Sequence, residues 1–147
     1  MARVYTSSVI NARSDRVWAR IRDFNGLPNW HPAIAESRIE NGEPADKIGC
    51  VRRFKLKDGS ELREQLLALS DLEQTFSYCL LDTPMPMFNY VAHVRLLPVT
   101  DGDRTFWQWE SRFTTRPEDR EGITQMVAEQ IYQAGFEAVR HHLRGAA

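Results

Sequence analysis

The sequence predicts an α+β fold in which a seven-stranded antiparallel sheet is followed by one long helix. Three observations support this prediction. Strand-like segments occur once near the N-terminus and six times between residues 34 and 114, most of them with apolar residues at every second position. Glycine, proline and aspartate separate these segments, as tight turns require. Residues 117–144 instead show the apolar spacing of a helix.

The N-terminal part is predicted to contain one strand and two short helices. Residues 4–10 are rich in β-branched residues, with polar residues among them, which favours a strand. Ser14 is a suitable N-cap and is followed by an acidic residue, so we expect a helix over residues 15–22. Pro28 suits the first turn of a second short helix that carries Trp30.

Six further strands form an antiparallel meander, predicted at residues 34–40, 48–57, 61–69, 74–82, 88–97 and 104–114. The inward residues of the last two strands are even-numbered on one and odd-numbered on the other, an opposite parity that a two-residue Asp101-Gly102 loop satisfies. These inward faces are Tyr90, Ala92, Val94 and Leu96 on one strand, and Trp107, Trp109, Ser111 and Phe113 on the other.

One hairpin of the meander places charge on its inward face. The inward positions of its first strand are Ile48, Cys50, Arg52, Phe54 and Leu56. A three-residue loop over residues 57–59, with Gly59 left-handed, keeps the apolar faces of both strands aligned, whereas a two-residue loop sets an apolar position against a polar one. Arg52 then pairs with Glu64. Because proteins seldom bury charge, this ion pair is the first candidate for a functional site.

Two tyrosines extend this polar group across the sheet. The strand register that follows places Tyr78 opposite Tyr90 and diagonal to Glu64. One interpretation is a structural salt bridge with two tyrosines whose hydroxyls reach solvent. The other is a polar patch in a ligand cavity, since binding sites combine apolar walls with a few convergent polar groups. We favour the second for Arg52, Glu64, Tyr78 and Tyr90 taken together, because a buried ion pair stabilises a fold only weakly.

The C-terminal helix is predicted over residues 117–144. Pro117 and several acidic residues open it, and basic residues close it, as the helix dipole favours. Its apolar stripe is predicted to consist of Ile123, Val127, Ile131, Ala134 and Ala138, broadened by Met126, Phe136, Val139 and Leu143.

Composition narrows the class of protein. The chain has 147 residues, a net charge of −1 and 42% hydrophobic residues, which suits one domain over residues 1–147 and gives no basic patch for nucleic acid. No signal peptide or membrane span is recognisable, so we expect a cytoplasmic protein. Cys50 and Cys79 lie on strand faces that disfavour a disulfide between them, and no histidine pair has metal-ligand spacing. Without a nucleotide-binding or nucleophile motif, we expect no metal and no cofactor.

This order of elements, together with V-W-A-R-I-R-D-F-N-G-L-P-N-W-H-P at residues 17–32, resembles the START/Bet v 1-like (SRPBCC) superfamily, in its polyketide cyclase/dehydrase-like branch. G-C-V-R at 49–52, D-G-S-E-L-R-E-Q-L at 58–66 and L-L-D-T-P-M-P at 80–86 support the resemblance over the whole chain. It implies a helix-grip fold, in which a curved seven-stranded sheet wraps around the long helix. It also implies a cavity between the sheet and the helix that holds a small hydrophobic or amphipathic molecule.

Within that branch the chain is similar to plant lachrymatory-factor synthase. The motifs of that enzyme place an arginine after Gly-x-Val and a glutamate on the following strand in the catalytic cavity, and these positions match Arg52 and Glu64. The resemblance therefore implies that Arg52 and Glu64 are catalytic if the protein is an enzyme. The loops around them differ from those of the synthase.

Other side chains are candidates for contact with the ligand. Phe54, Trp107 and Trp109 share the inward parity, although core packing explains tryptophans there equally well. Trp30 follows the short helices, where the family's cavity mouth would be. Met85 lies in a proline-rich loop that is either a stiff connector or a gate. His31 is expected to be a capping or exposed residue more often than a catalyst.

Two functional hypotheses remain open. The first is a protein that binds or carries a small hydrophobic or amphipathic ligand, which can bear an anionic group. The second is a cofactor-independent lyase, cyclase, dehydratase or isomerase that uses Arg52 to stabilise an oxyanion and Glu64 as acid or base. A protein-interaction module is a third, weaker hypothesis, because the outward face is charged. The sequence does not distinguish a monomer from a homodimer.

Overall fold

The computed structural model describes residues 1–144, and within them seven strands form a single antiparallel sheet in the order β1-β7-β6-β5-β4-β3-β2. The strands are β1 (Ala2–Ile10), β2 (Ile34–Ile39), β3 (Val51–Leu56), β4 (Glu61–Ser70), β5 (Thr75–Asp82), β6 (Met87–Val99) and β7 (Arg104–Thr115). The predicted meander is confirmed, and the first strand completes the sheet by pairing with the last. Residues 145–147, the end of the predicted domain, lie outside the described residues.

The connection from β1 to β2 carries the two predicted short helices. Helix α1 (Ser14–Ile21) begins one residue before the expected start, because Arg13 rather than Ser14 occupies the N-cap position. A 3₁₀ turn at Leu27–Asn29 has proline near its start, and Trp30 follows it with its ring buried. Both helical segments pack apolar side chains into the core.

The hairpin of β3 and β4 has the predicted register. Arg52 lies opposite Glu64. Gly59 has a φ of +93°, a conformation that glycine adopts readily. The predicted start of β3 was wrong, however: the strand begins at Val51, and Ile48 is 53% exposed rather than inward-facing. The φ of +94° at Gly49 breaks the extended conformation before Cys50, which is buried as predicted.

The hairpin of β6 and β7 also has the predicted register, with every expected inward side chain buried. The predicted pairing of Tyr78 with Tyr90 was wrong, because Tyr78 lies opposite Ala92. A bulge between Phe88 and Val91, in which Asn89 has a φ of +56°, lies in the neighbouring pairing of β6 with β7. The register of β5 with β6 is shifted from the predicted one. The shift amounts to two residues, so both tyrosines still face inward, and their ring centroids are 6.2 Å apart.

The C-terminal helix is not a regular α-helix over its whole length. It consists of a 3₁₀ turn at Pro117–Asp119, helix α2 (Arg120–Met126), a π-helical segment at Val127–Gln133 and helix α3 (Ala134–Arg144). Hydrogen bonds in a π-helix span five residues instead of four, so the segment adds one residue to the helical repeat.

That extra residue changes which side chains of the C-terminal helix face the sheet. The predicted stripe is correct at Ile123 and Val127, whereas Ile131, Ala134 and Ala138 are only partly buried. Tyr132 is buried within the π segment, and Gly135, Phe136 and Val139 are buried after it. Phe136 and Val139 confirm the broadened stripe, whereas Tyr132 was not expected to face inward. Two of their rings pack on β7: Tyr132 stacks on Trp109 at 4.4 Å, and Phe136 meets Trp107 edge-on at 4.7 Å. The long helix against the inner face of the sheet is the predicted helix-grip arrangement.

Candidate functional site

A cavity of about 130 Å³ lies between the inner face of the sheet and the C-terminal helix. The sheet contributes Phe54, Leu62, Leu80 and Met87 to its apolar wall, and the helix contributes Met126, Val127 and Ile131. The 3₁₀ turn and the start of β2 close one side with Leu27 and Ile34. Arg52, Glu64, Tyr78 and Tyr90 all line this mostly apolar space, as do His31 and Gln130.

The ion pair of Arg52 and Glu64 is buried in the cavity wall. Arg52 is 5% exposed and Glu64 is 7% exposed. The Arg52 Nη2 and Nε atoms donate to the same carboxylate atom, Glu64 Oε1, at 2.6 and 3.0 Å. The directly opposed positions on β3 and β4 make this short geometry possible. Glu64 Oε2 receives no hydrogen bond from any residue in 1–144.

Protein groups surround the Arg52 guanidinium on several sides. Its Nη1 donates to the carbonyl oxygen of Phe24 at 3.0 Å, in the loop after α1. The Phe24 ring centroid lies 4.0 Å from the guanidinium carbon, and the Tyr78 ring lies 5.0 Å away. Phe54 is the third ring, at 5.6 Å. Cation–π contacts and the paired carboxylate together hold this charge in place.

Burial changes the acid–base properties of Glu64. Removal from water penalises the carboxylate and raises the pKa of Glu64, while the neighbouring Arg52 opposes the rise. The raised pKa brings the carboxyl group closer to the range in which it can accept and return a proton near neutral pH. Glu64 therefore offers both a hydrogen-bond acceptor and a candidate base to a molecule in the cavity.

The tyrosines of the site form hydrogen bonds with aromatic neighbours. Trp109 Nε1 donates to the Tyr78 hydroxyl at 3.1 Å, and the hydroxyls of Tyr90 and Tyr132 hydrogen-bond each other. Desolvation raises the pKa of Tyr78, Tyr90 and Tyr132 well above the ordinary value, so all three are neutral hydroxyls at physiological pH. Sequence reasoning missed Tyr132, because a regular helical repeat does not place it inward.

His31 is buried in the cavity wall, which corrects the alternative of an exposed residue. It is 2% exposed. Its Nε2 lies 2.7 Å from the carbonyl oxygen of Ile131 in the π segment, and its Nδ1 accepts from the N–H of Ala33 at 3.1 Å. These partners suit a neutral ring with the proton on Nε2, and burial lowers the pKa of His31. The ring thus links the β1–β2 connection to the C-terminal helix.

The remaining predicted contact residues divide into two groups. Phe54, Met85 and Trp109 line the cavity. Trp30 and Trp107 do not line it: they are buried in the core and pack against each other at 5.9 Å, and contact with a ligand stays a prediction for both. Inward parity places a side chain on the correct face of a strand but does not show whether another ring covers it.

Two further features of the described chain concern partners. Within residues 1–144, no group of three or more histidine, cysteine, aspartate or glutamate side chains is arranged to hold a metal ion. None of the helices in this range has the length and apolar character that crossing a membrane requires.

Comparison with known proteins identifies relatives over the full length of the described chain. Residues 1–144 match the family model described as "Polyketide cyclase / dehydrase and lipid transport". No curated protein sequence matches the chain. The similarity to plant lachrymatory-factor synthase is not shown by these comparisons and stays a prediction.

Several solved structures share the fold. The protein XoxI from Bacillus cereus has a TM-score of 0.87 at 27% identity, with 99% of this chain and 98% of that chain covered. An uncharacterised protein from Bacillus thuringiensis has a TM-score of 0.86 at 28% identity, with 97% and 99% covered. The ZhuI aromatase/cyclase from Streptomyces sp. R1128 has a TM-score of 0.80 at 18% identity, with 97% and 93% covered, and shows similarity of fold alone.

Proposed function

The chain belongs to the polyketide cyclase/dehydrase and lipid transport family, and we propose that it binds a small hydrophobic or amphipathic molecule in the cavity between its sheet and its C-terminal helix. The observation that carries the proposal is the buried carboxylate of Glu64, with one oxygen unbonded among residues 1–144, in a wall that is otherwise mostly apolar. Glu64 lines the cavity, where an acceptor that protein groups leave unbonded is available to a donor on a ligand. A ligand in the cavity would supply the missing partner.

Native mass spectrometry of protein purified from its own host tests this proposal. We expect a bound molecule whose mass is lost when the protein is denatured. The released molecule, added back to protein that has been unfolded and refolded, should raise the thermal midpoint progressively with its concentration, since a ligand that binds only the folded state stabilises it.

A cavity-filling variant supplies the control. Met126 is half-buried on the helix side of the cavity, so Met126→Trp should fill the space and abolish retention of the molecule. Gln125 is exposed on the same helix, so Gln125→Trp adds the same side chain outside the cavity and should leave retention unchanged. Retention by both variants would show that the molecule binds elsewhere.

A second candidate function is cofactor-independent catalysis as a lyase, cyclase, dehydratase or isomerase. Burial raises the pKa of Glu64, which favours it as a proton acceptor. The adjacent Arg52 guanidinium, which lines the same cavity, would stabilise negative charge that develops on a ligand oxygen, such as that of an enolate.

The variant Glu64→Gln separates binding from catalysis, because it keeps the shape of the side chain and removes the base. If Glu64 moves a proton, conversion of the retained molecule should fall on the order of 10²- to 10⁴-fold while binding survives. If the protein is a carrier for an anionic ligand, the variant should bind that ligand at least as tightly, because Arg52 no longer has an internal carboxylate as its partner. Absence of any conversion by the wild-type protein would favour the carrier.

A further inference from the structure

We infer that the ligand is a neutral hydroxyl compound about the size of a single ring, whose O–H donates to Glu64 Oε2. This inference rests on the proposed binding function and specifies the chemical class of the ligand. It depends on three properties of the cavity: its size, its balance of charge and its unbonded acceptor.

The size of the cavity limits how much of a ligand it can enclose. An apolar cavity of about 150 Å³ in another protein encloses benzene. The cavity here measures about 130 Å³, so it encloses about one six-membered ring. A compound of several fused rings, or a long acyl chain, exceeds this volume.

The charge on the wall of the cavity is balanced. Among the described residues that line it, Arg52 and Glu64 carry charge, and they neutralise each other at 2.6 Å. An anionic ligand would meet the Glu64 carboxylate, and a cationic ligand would meet the Arg52 guanidinium, each in a site of low dielectric constant where like charges repel strongly. His31 adds no positive charge, because burial and its two hydrogen bonds favour the neutral ring. A neutral ligand avoids both penalties.

The unbonded acceptor determines which polar group the ligand carries. Both hydrogen bonds from Arg52 to the carboxylate end on Oε1, so Oε2 remains an acceptor without a donor among residues 1–144. A hydroxyl group supplies that donor while leaving the ligand neutral. The hydrogen bond is assisted by the charge of the carboxylate, which makes it stronger than a bond between two neutral groups.

The apolar wall accounts for the rest of the ligand. Phe54 and Leu62 flank the ion pair on the same two strands, and Val127 faces them from the helix. These side chains offer no hydrogen-bonding group. The ring of the ligand would lie against them with its hydroxyl toward Glu64.

Five ring compounds of similar size test the inference by calorimetric titration of the wild-type protein at pH 7. Phenol is neutral and donates, anisole and toluene are neutral and cannot donate, benzoate is an anion and benzylamine is a cation. We expect phenol to bind roughly 10- to 100-fold more tightly than anisole or toluene, which is the value of one hydrogen bond to a charged group. Benzoate and benzylamine should bind more weakly than phenol.

Two variants show whether Glu64 is the acceptor. Glu64→Gln should weaken phenol binding about 10-fold and leave toluene binding unchanged, because the amide oxygen stays bonded to Arg52 and the amide nitrogen, a donor, replaces the Oε2 acceptor. Glu61 lies on the outer face of the same strand, where it pairs with Arg53, so Glu61→Gln is a matched control that should alter neither. If Glu64→Gln does not fold, the affinities of the five compounds for the wild-type protein still show whether the site prefers a neutral hydroxyl compound.

Several results would overturn the inference. Benzoate or benzylamine bound more tightly than phenol would show a charged ligand site, and toluene bound as tightly as phenol would show a purely apolar one. In these cases binding in the cavity, and with it the proposed function, would stand. Failure of all five compounds to bind would contradict the inference alone, because the molecule retained from the host tests the proposed function separately.

Discussion

Glu64 and Arg52 show what strand parity can predict for a single residue. Alternation along two strands and the choice of loop length place the two charges opposite each other on the inward face, and the structure confirms that pairing. Parity does not predict the third partner of this group, the carbonyl oxygen of Phe24. That oxygen belongs to a loop, whose path depends on tertiary packing rather than on a repeat in the sequence.

Replacement of Glu64 by leucine should destabilise the protein by about 3–5 kcal/mol, because it leaves the buried Arg52 guanidinium without its carboxylate. Glu64→Gln should cost less, since the amide oxygen still accepts from Arg52. Urea denaturation of both variants measures the difference. Glu61→Leu, which breaks the exposed pair with Arg53, should cost no more than about 1 kcal/mol. Equal losses of unfolding free energy at the two positions would mean that the buried ion pair contributes no more to stability than the exposed one.

His31 is a site residue whose burial the sequence could not predict. It follows a short 3₁₀ turn, where a histidine is commonly exposed or caps a helix. Its ring is enclosed because the π segment brings the carbonyl oxygen of Ile131 within hydrogen-bonding distance. A contact between segments 100 residues apart leaves no local pattern in the sequence.

At the scale of elements, the π segment is the main difference between prediction and structure. The predicted stripe assumes a uniform α-helical repeat through Ile131 and Ala134, and the extra residue moves Tyr132 inward instead. Phe136 was expected on the broadened stripe and is buried. Tyr132 then meets Trp109 and Tyr90. No residue in Val127–Gln133 signals this change by itself, and π-helical segments are rare enough that a regular α-helical repeat is the ordinary expectation.

Gly135 allows the C-terminal helix to approach the tryptophans of the core. A Cβ atom at this position would lie 2.8 Å from Trp109 Cζ3 and 3.1 Å from Trp30 Cζ3. We expect Gly135→Ala to destabilise the protein by about 1–3 kcal/mol, because overpacking exceeds the gain in helix propensity. A Cβ atom at Gly122, in the same helix, would meet no other side chain within 4 Å, so Gly122→Ala should stabilise by up to about 1 kcal/mol. Thermal unfolding of the pair measures both effects, and a stabilised Gly135→Ala variant would contradict the close packing.

Glu40 links the turn after β2 to the next two strands. It accepts from Arg53 Nε at 3.1 Å and from Arg63 Nε and Nη2 at 2.7 and 2.9 Å. The hydrogen bonds and charge of Arg63, followed by those of Arg53, lower the pKa of Glu40 from 4.5 to about 2. A carboxylate whose pKa is lower in the folded state stabilises the fold above its unfolded pKa, and this contribution is lost as the pH falls through the folded value.

The stability advantage of wild-type protein over Glu40→Gln should therefore be complete at pH 6 and should shrink between pH 4.5 and about 2. Urea denaturation of both proteins at several pH values measures this difference. High salt should reduce it at pH 6, because the group lies near the surface and is screened. A difference that does not change with pH would mean that the ion pairs of Glu40 do not contribute to stability.

For the whole molecule, the element order predicted the antiparallel meander. The pairing of the first strand with the last was seen only in the structure. Turn chemistry and parity predicted which faces of β3, β4, β6 and β7 point inward. The pairing of β1 with β7, from Ala2 opposite Phe113 to Ile10 opposite Thr105, joins the first strand of the chain to the last. Neither strand carries a signal for the other in its sequence, and only the family resemblance implied this arrangement.

The C-terminal helix completes the core, so a chain that ends at residue 116 should not fold cooperatively. Without the helix, the inner face of the sheet would expose Trp107, Trp109 and Phe113, which are each at most 4% exposed in the intact protein. The helix also contributes Val127 and Tyr132, which are fully buried. Burial of each large side chain is worth about 1.5–3 kcal/mol, and several such losses exceed the stability of a typical domain, about 5–15 kcal/mol. Circular dichroism of the shortened and full chains on heating measures this. A sharp thermal transition in the shortened chain would show that the sheet folds without the helix, and the cavity would then be formed by docking of an accessory element.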